Sequence, residues 1–130
     1  MKYTSYNIQI LKFLTNQHFL MEVAYVIGPY RNETAYGTKK NIQKAEQLAE
    51  ELWRLGYAAF CPHSNSAFLS GLVPEQQFLK AGIEFLRRCD LAVTVEGWEN
   101  SQGSLLEIKI CKENNIPIFY SLEELKQREP

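Results

Sequence analysis

The chain has 130 residues, enough for one domain with a single hydrophobic core. Its formal net charge is −1 and its 14 basic and 15 acidic residues are interspersed, which excludes a basic stripe of the kind that binds nucleic-acid polymers. The three cysteines, Cys61, Cys89 and Cys111, lack metal-ligand spacing, and each lies in or beside an apolar segment. We therefore expect buried, reduced thiols in a cytoplasmic protein that uses no metal or other cofactor.

Residues 1–20 differ in character from the rest of the chain. Polar residues interrupt their apolar ones too often for a transmembrane span, and no small-residue cleavage site is present. We interpret residues 1–20 as an N-terminal extension and residues 21–130 as the domain. The extension is predicted to be either a short amphipathic helix that docks on the domain or on a partner subunit, or a disordered leader.

From Val23 onward, short apolar runs alternate with helical patterns. Strands are predicted at residues 23–27, 57–61, 91–95 and 116–120, and helices at residues 38–55, 74–88 and 104–113. Gly56 closes the first helix. Ser121 caps a short last helix with Glu124 as its capping-box partner. The run 33–40 contains Gly37 and shows no strong periodicity, so it is interpreted either as a mobile lid or as a simple long loop.

This alternation predicts an α/β fold in which helices cover both faces of a parallel sheet of four to five strands. Right-handed crossovers bring all the carboxyl ends of the strands to one edge of the sheet, where ligands bind in such folds. The segments that leave those ends are residues 28–31, 62–66 and 96–104. The polar and glycine-rich residues of the chain therefore converge where a site is expected.

The most informative of these segments runs from Trp98 to Glu107. Its Ser/Gly-rich turn between a strand and a helix offers backbone N–H groups that can hold an anion or a sugar hydroxyl. We place Glu107 in the first turn of that helix, where the helix dipole is expected to keep its carboxylate ionised. Such a carboxylate suits a nucleophile or an electrostatic stabiliser, although the same pattern also suits a plain helix start.

Three further segments have both a functional and a plain interpretation. Gly28 with Pro29 forms either a simple turn or a place where the backbone approaches a ligand. Tyr30 and Arg31 are either surface residues or contacts to a base and a phosphate. His63 is either a solvated loop histidine or part of a pocket.

Several pieces of the chain, in this order and spacing, carry a family resemblance: Tyr25-Val-Ile-Gly-Pro29, Asn41 with Ala45, Leu52-Trp53-Arg54-Leu55-Gly56, Cys61-Pro62-His63, Cys89-Asp90, and Gly97-Trp98-Glu99-Asn100-Ser101-Gln102-Gly103 with Glu107. Together they resemble the nucleoside 2-deoxyribosyltransferase-like superfamily, and most closely its small, poorly characterised bacterial and phage branch. The resemblance covers residues 22–122.

The resemblance implies a flavodoxin- or Rossmann-like three-layer sandwich and cleavage of an N-glycosidic bond in a nucleoside or nucleotide. It implies that Glu107 attacks the anomeric carbon and forms a covalent glycosyl-enzyme, which water or an acceptor base then resolves. It also implies a homodimer or higher homo-oligomer, with no membrane or nucleic-acid partner. The substrate-binding residues that follow from it are Gly28, Pro29, Tyr30, Arg31, His63, Trp98, Ser101, Gly103 and Ser104.

The chain departs from the family pattern at one position. The family usually has an aspartate, which assists the leaving base or the nucleophile, where this chain has Gly82. Glu84 is two residues further along the helix and is expected to point away. Asp90 is interpreted as a helix-to-strand junction residue. A non-catalytic nucleotide-binding module and a purely structural protein therefore remain as alternatives, and an interface partner is a possible source of the missing acid.

Overall fold

The computed structural model describes residues 8–11 and 20–128. Within them, four parallel strands form one sheet in the order β2-β1-β3-β4. The strands are β1 (Val23–Ile27), β2 (Ala58–Phe60), β3 (Leu91–Thr94) and β4 (Ile118–Phe119). The helices are α1 (Ala35–Arg54), α2 (Pro62–Asn65), α3 (Glu75–Arg87), α4 (Gln102–Glu113) and α5 (Leu122–Lys126), with a 3₁₀ turn at Trp98–Asn100. The structure thus confirms the predicted flavodoxin- or Rossmann-like α/β sandwich.

The central strand β1 divides the core into two layers. Its successive side chains point to opposite faces of the sheet. Ala24 and Val26 pack in one cluster with Leu52 of α1, whereas Tyr25 and Ile27 belong to a second cluster. That second cluster draws its helical residues from α3 and α4, including Leu86, Ile108 and Cys111. Both faces of the sheet are therefore covered, which explains why its strands are continuously apolar.

Helix α1 begins earlier than predicted, and residues 35–40 are neither a lid nor a long loop. The hydroxyl of Thr34 caps the helix by accepting the Gly37 N–H at 2.9 Å. A Cβ on Gly37 would lie 2.2 Å from the side chain of Asn32, whose Oδ1 accepts the Thr34 N–H at 3.1 Å. Glycine is thus required by this tight cap, and its presence hid the helical periodicity of the first turn.

Other boundaries differ for local reasons. Strand β4 is shorter than predicted because Pro117 has no N–H to donate, although its carbonyl accepts the Ala92 N–H at 2.9 Å. Strand β2 begins one residue later and ends one residue earlier than the predicted strand at residues 57–61. The cap of α5 agrees with the prediction, because the Ser121 hydroxyl accepts the Glu124 N–H at 3.0 Å. Gly56 follows α1 with φ +94°, a left-handed conformation that favours glycine.

The predictions for residues 1–20 lie largely outside the described residues. Residues 8–11 form a single helical turn, and 1–7 and 12–19 are not described. In the described part of the chain, no helix combines the length and hydropathy needed to cross a membrane. All three cysteines are free thiols, with Cys61 and Cys111 buried as predicted and Cys89 half-buried.

Asp90 joins the start of β1 to the junction between α3 and β3, as predicted. Its Oδ2 accepts the Val23 N–H at 2.7 Å, and its own N–H donates to the Val23 carbonyl at 2.9 Å. We expect Asp90→Ala to lower the free energy of unfolding by about 1–2 kcal/mol, since a charge-assisted hydrogen bond is lost. Urea denaturation would measure it, with Glu84→Ala as the control. An unchanged unfolding midpoint in Asp90→Ala would refute the junction role.

Candidate active site

A cavity of about 940 Å³ opens at the carboxyl edge of the sheet, beside the point where the strand order reverses between β1 and β3. This is the position at which ligands bind in open α/β sheets. Nine of the ten residues predicted for the site line it: Gly28, Pro29, Tyr30, Arg31, His63, Ser101, Gly103, Ser104 and Glu107. The tenth, Trp98, does not. The Trp98 ring packs against Tyr120, with ring centroids 5.2 Å apart. Because Trp98 does not line this cavity, the cavity does not support the expected substrate contact of Trp98.

Gly28 ends β1 in close contact with the neighbouring strand. A Cβ at this position would lie 2.8 Å from the side chain of Val95, closer than real Cβ atoms approach. Val95 in turn donates its N–H to the Ile27 carbonyl at 2.7 Å. Glycine at position 28 is therefore needed for the two strand ends to pack closely. This packing role is separate from the ligand contact that the sequence predicts for Gly28.

His63 is buried and hydrogen-bonds to the backbone at the end of β1, so its interpretation as a solvated loop residue is wrong. Its Nε2 lies 3.0 Å from the carbonyl oxygens of both Gly28 and Pro29. Only a protonated Nε2 can donate to these carbonyls, which assigns the tautomer. Burial lowers the pKa of His63 below its ordinary value, and the two backbone hydrogen bonds act in the opposite direction. The ring is thus neutral near pH 7 and fixes α2 against the end of β1.

The amino end of α4 forms one wall of the cavity. Ser101 caps the helix by accepting the Ser104 N–H at 3.1 Å, while Gln102 and Gly103 contribute the first N–H groups, which have no intrahelical acceptor. The Ser104 side chain is fully buried, and its hydroxyl has no hydrogen-bond partner among the described residues. A buried hydroxyl without a partner is unfavourable. Because the oxygen has essentially no exposed surface, it lies behind the cavity wall and does not face the open space of the cavity.

Glu107 faces the same cavity from the second turn of α4. Because the helix begins at Gln102, this residue is too far from the helix terminus for the dipole to keep it ionised, and that expectation was wrong. Burial instead raises the pKa of Glu107 to about 7, while an interaction with the Tyr25 hydroxyl lowers it. Burial and the nearby carboxylate raise the pKa of Tyr25 far above its ordinary value, so this hydroxyl stays protonated.

Helix α3 forms the opposite wall, and Gly82 lines it. A Cβ on Gly82 would lie 3.4 Å from the Tyr25 hydroxyl, an ordinary contact distance. Glu84 points away as predicted, because its carboxylate pairs with Arg87 and Arg88 at 3.6 and 3.2 Å. The position of the missing aspartate thus adjoins the Tyr25–Glu107 pair and holds no carboxylate.

The cavity-lining residues that the sequence does not indicate as site residues include Tyr25, Glu75, Phe78 and Leu79. The sequence places Tyr25 in a strand and in the motif that carries the family resemblance, but its hydroxyl in a central strand is a further signal for a site residue. Glu75 pairs with Arg31 at 2.7 Å, and both side chains are more than half exposed. Arg31 therefore already has an anionic partner.

Among the described residues, no three His, Cys, Asp or Glu side chains group as a metal site.

The pKa of Glu107 predicts a pH-dependent stability. Well below pH 4.5, the group is protonated in both states. Between pH 4.5 and about 7, mainly the unfolded chain loses the proton, so stability falls as pH rises. At about 1.4 kcal/mol per pH unit, the loss levels off at about 3 kcal/mol above pH 7. Glu107→Gln should therefore be more stable than the wild type by about this amount at pH 8 and equal to it near pH 4. Chemical denaturation at both pH values would test it, and equal stability at pH 8 would contradict it.

Comparison with known proteins assigns a family to this architecture. Residues 22–121 match the model of a domain of unknown function (DUF7768). No curated protein matches the chain. The match covers most of the chain, including every strand and all residues that line the cavity. The chain therefore belongs to the DUF7768 family.

Proposed function

We propose that the protein cleaves the N-glycosidic bond of a nucleoside or nucleotide, with Glu107 as the nucleophile. The observation that carries the proposal is the placement of this carboxylate in one cavity with Gly28 and Ser101, at the edge where strand order reverses. A glutamate turned towards bulk solvent would have excluded the reaction. The resemblance of the sequence to nucleoside 2-deoxyribosyltransferase-like proteins supports the same reaction class.

The reaction has two steps with balanced bonds. The ionised carboxylate of Glu107 forms a bond to the anomeric carbon as the bond from that carbon to the base nitrogen breaks, and the bonding electrons leave with the base. The departing nitrogen takes up a proton from water, since the lining carboxylates of the described cavity are the nucleophile Glu107 and Glu75, which pairs with Arg31. Water or an acceptor base then attacks the same carbon, releases Glu107 and loses a proton. Hydrolysis and transfer differ only in this second attack.

Tyr25 acts on the nucleophile as a positioning residue. Its hydroxyl, which stays protonated, interacts with the Glu107 carboxylate and lowers the pKa that burial has raised. A pKa of about 7 means that roughly half of the protein carries the nucleophilic form at neutral pH. The half-buried setting also removes water from the carboxylate, which strengthens its interaction with a developing positive charge on the sugar.

The amino end of α4 suits the 5′ group of the sugar. The first N–H groups of the helix, from Gln102 and Gly103, are donors to an oxygen-rich group. Arg31 would add a charge for a phosphate only by exchanging its contact with Glu75. Tyr30 and His63, whose rings are 5.8 Å apart, contribute an aromatic side to the cavity.

A nucleotide-binding module without turnover is the second candidate. Gly82 favours it, because the carboxylate that assists the leaving base is missing from the wall beside Tyr25. Of the carboxylates that line the described cavity, Glu75 is engaged with Arg31 and Glu107 is assigned to the sugar. Loss of a general acid typically lowers a rate by about 10²–10⁴-fold.

Incubation with nucleosides, nucleoside monophosphates and NAD, with and without an acceptor base, tests the proposal. We expect release of the base, with kcat/KM rising as pH passes through about 7 because only the ionised carboxylate attacks. Glu107→Ala should abolish the release, whereas Glu84→Ala, which alters a carboxylate outside the cavity, should leave it unchanged. Tight binding without release, unaffected by Glu107→Ala, would favour the binding module instead.

Gly82→Asp tests whether the missing acid limits the rate. The new Cβ would stand at ordinary contact distance from the Tyr25 hydroxyl, so the side chain has room at the cavity wall. We expect base release to accelerate by about 10²-fold. Ala in place of Gly82 serves as the control for the loss of glycine. Equal rates in the Asp and Ala variants would show that the leaving base obtains its proton elsewhere.

A further inference from the structure

An ion pair joins two charged residues that line the cavity. Arg31 Nε lies 2.7 Å from Glu75 Oε1. Arg31 belongs to the segment that leaves β1, whereas Glu75 is the first residue of α3, where the positive end of the helix dipole favours a carboxylate. The pair therefore holds the Arg31 guanidinium at the α3 side of the cavity, opposite α4. Both side chains are more than half exposed, so an entering substrate can reach them.

The backbone on both sides of Arg31 is held by helix α1. The Tyr30 carbonyl accepts the side-chain N–H of Asn41 at 3.2 Å. The Asn32 N–H donates to the Thr38 hydroxyl at 3.0 Å. Because both α1 side chains fix the chain immediately before and after Arg31, this residue projects from a defined position, and its contact with α3 follows from the fold.

The charges around the cavity do not favour a second anion. Among the described residues that line it, Arg31 is the only cation, and Glu75 and Glu107 are the acidic residues. The ring of His63 is neutral and adds no charge. Since Glu75 already neutralises Arg31, the ionised form of Glu107 leaves one uncompensated negative charge in the lining.

The amino end of α4 is too weakly positive to reverse this balance. A helix amino terminus is equivalent to about half of a positive charge, whereas a phosphate monoester carries about −1.5 to −2 at pH 7. Glu107 follows Gln102 on the same helix at about 7.5 Å along the axis, so salt screens its repulsion of a phosphate there only in part. A free 5′-hydroxyl would use the same N–H groups without that repulsion.

We propose that Glu75 determines the substrate class of the cavity, because its contact with Arg31 selects nucleosides with a free 5′-hydroxyl over nucleoside 5′-phosphates. The inference rests on the proposed function for the kind of substrate. Glu75 acts through Arg31, so it is a specificity-determining residue and takes no part in the bond-breaking step. Without Glu75, the guanidinium is free to donate two N–H groups to a phosphate.

Matched pairs of substrates test this selection. The common 2′-deoxynucleosides and their 5′-monophosphates are compared at pH 8, in the wild type and in Glu75→Gln. We expect the wild type to have the higher kcat/KM for the nucleoside of each pair that reacts. Glu75→Gln should raise kcat/KM for the monophosphate by about 10–100-fold through a lower KM, which corresponds to one new hydrogen-bonded charge contact. Its values for the nucleoside should stay unchanged.

Two further variants assign the effect to the charge of Arg31. The double variant Arg31→Gln, Glu75→Gln removes both charges, so kcat/KM for the monophosphate should return to the wild-type value. Glu84→Gln removes a carboxylate of the same helix that pairs outside the cavity with Arg87 and Arg88, and it should have no effect. A gain that persists in the double variant would overturn the proposal.

Titration calorimetry with the same ligand pairs separates this inference from the proposed reaction. A shift towards the monophosphates in Glu75→Gln, without release of any base, supports the selection by Glu75 and refutes the proposed cleavage. Base release with the same preference in the wild type and in Glu75→Gln overturns the selection and leaves the proposed reaction in place. A wild type that already prefers the monophosphates also overturns the selection.

Discussion

The parallel pairing of β1 with β3 is the constraint on which the rest of the structure depends. Because β2 extends the sheet on one side of β1 and β3 on the other, the chains that leave β1 and β3 diverge above the sheet edge and open a cavity. The contact between Gly28 and Val95 sets how closely the two strand ends meet. His63 then fixes α2 to the same corner through the carbonyls of Gly28 and Pro29. One backbone junction thus positions the end of β1, the end of β3 and helix α2 beside the cavity.

The electrostatics of the site follow from burial. A carboxylate in the second turn of a helix receives little help from the helix terminus, so its charge must be supported by neighbours or be lost. Glu107 has one such neighbour in the described structure, the Tyr25 hydroxyl, and its pKa still rises to about 7. The fold therefore keeps a group that destabilises it at neutral pH. A raised pKa at a carboxylate that lines a cavity is a common property of functional sites.

Much of the fold and most of the site could be predicted from the sequence. Apolar runs such as 23–27 and 91–94 are buried on both faces and give a clear parallel-sheet signal, and topology then brings the polar segments to one edge. The start of α1 was missed because the Thr34 cap depends on Asn32 and Gly37, three residues that individually indicate a loop. Local turn chemistry of this kind does not appear as periodicity.

Side-chain environments were less predictable than positions. The sequence indicates that His63 and Glu107 lie at the sheet edge, but not that a ring nitrogen meets two carbonyls or that a carboxylate lies beyond the reach of the helix terminus. Both depend on packing between segments that are far apart in the chain. Trp98 illustrates the same limit, since its ring packs against Tyr120, which directly follows the edge strand β4, and does not line the cavity.

The two ends of the cavity carry different chemical groups, and this difference has a chemical consequence. The end at α4 has helix N–H groups and the Glu107 carboxylate, which together suit the oxygen-rich sugar of the proposed substrate. The end at α3 has Phe78, Leu79 and Ile83 around Gly82, an apolar wall without an unengaged acid. An apolar wall binds the face of a base well but gives its departing nitrogen no proton. In the proposed reaction, the bond to the base would break readily only where the base leaves as a stable anion or is already protonated, so leaving-group acidity would be the main determinant of rate.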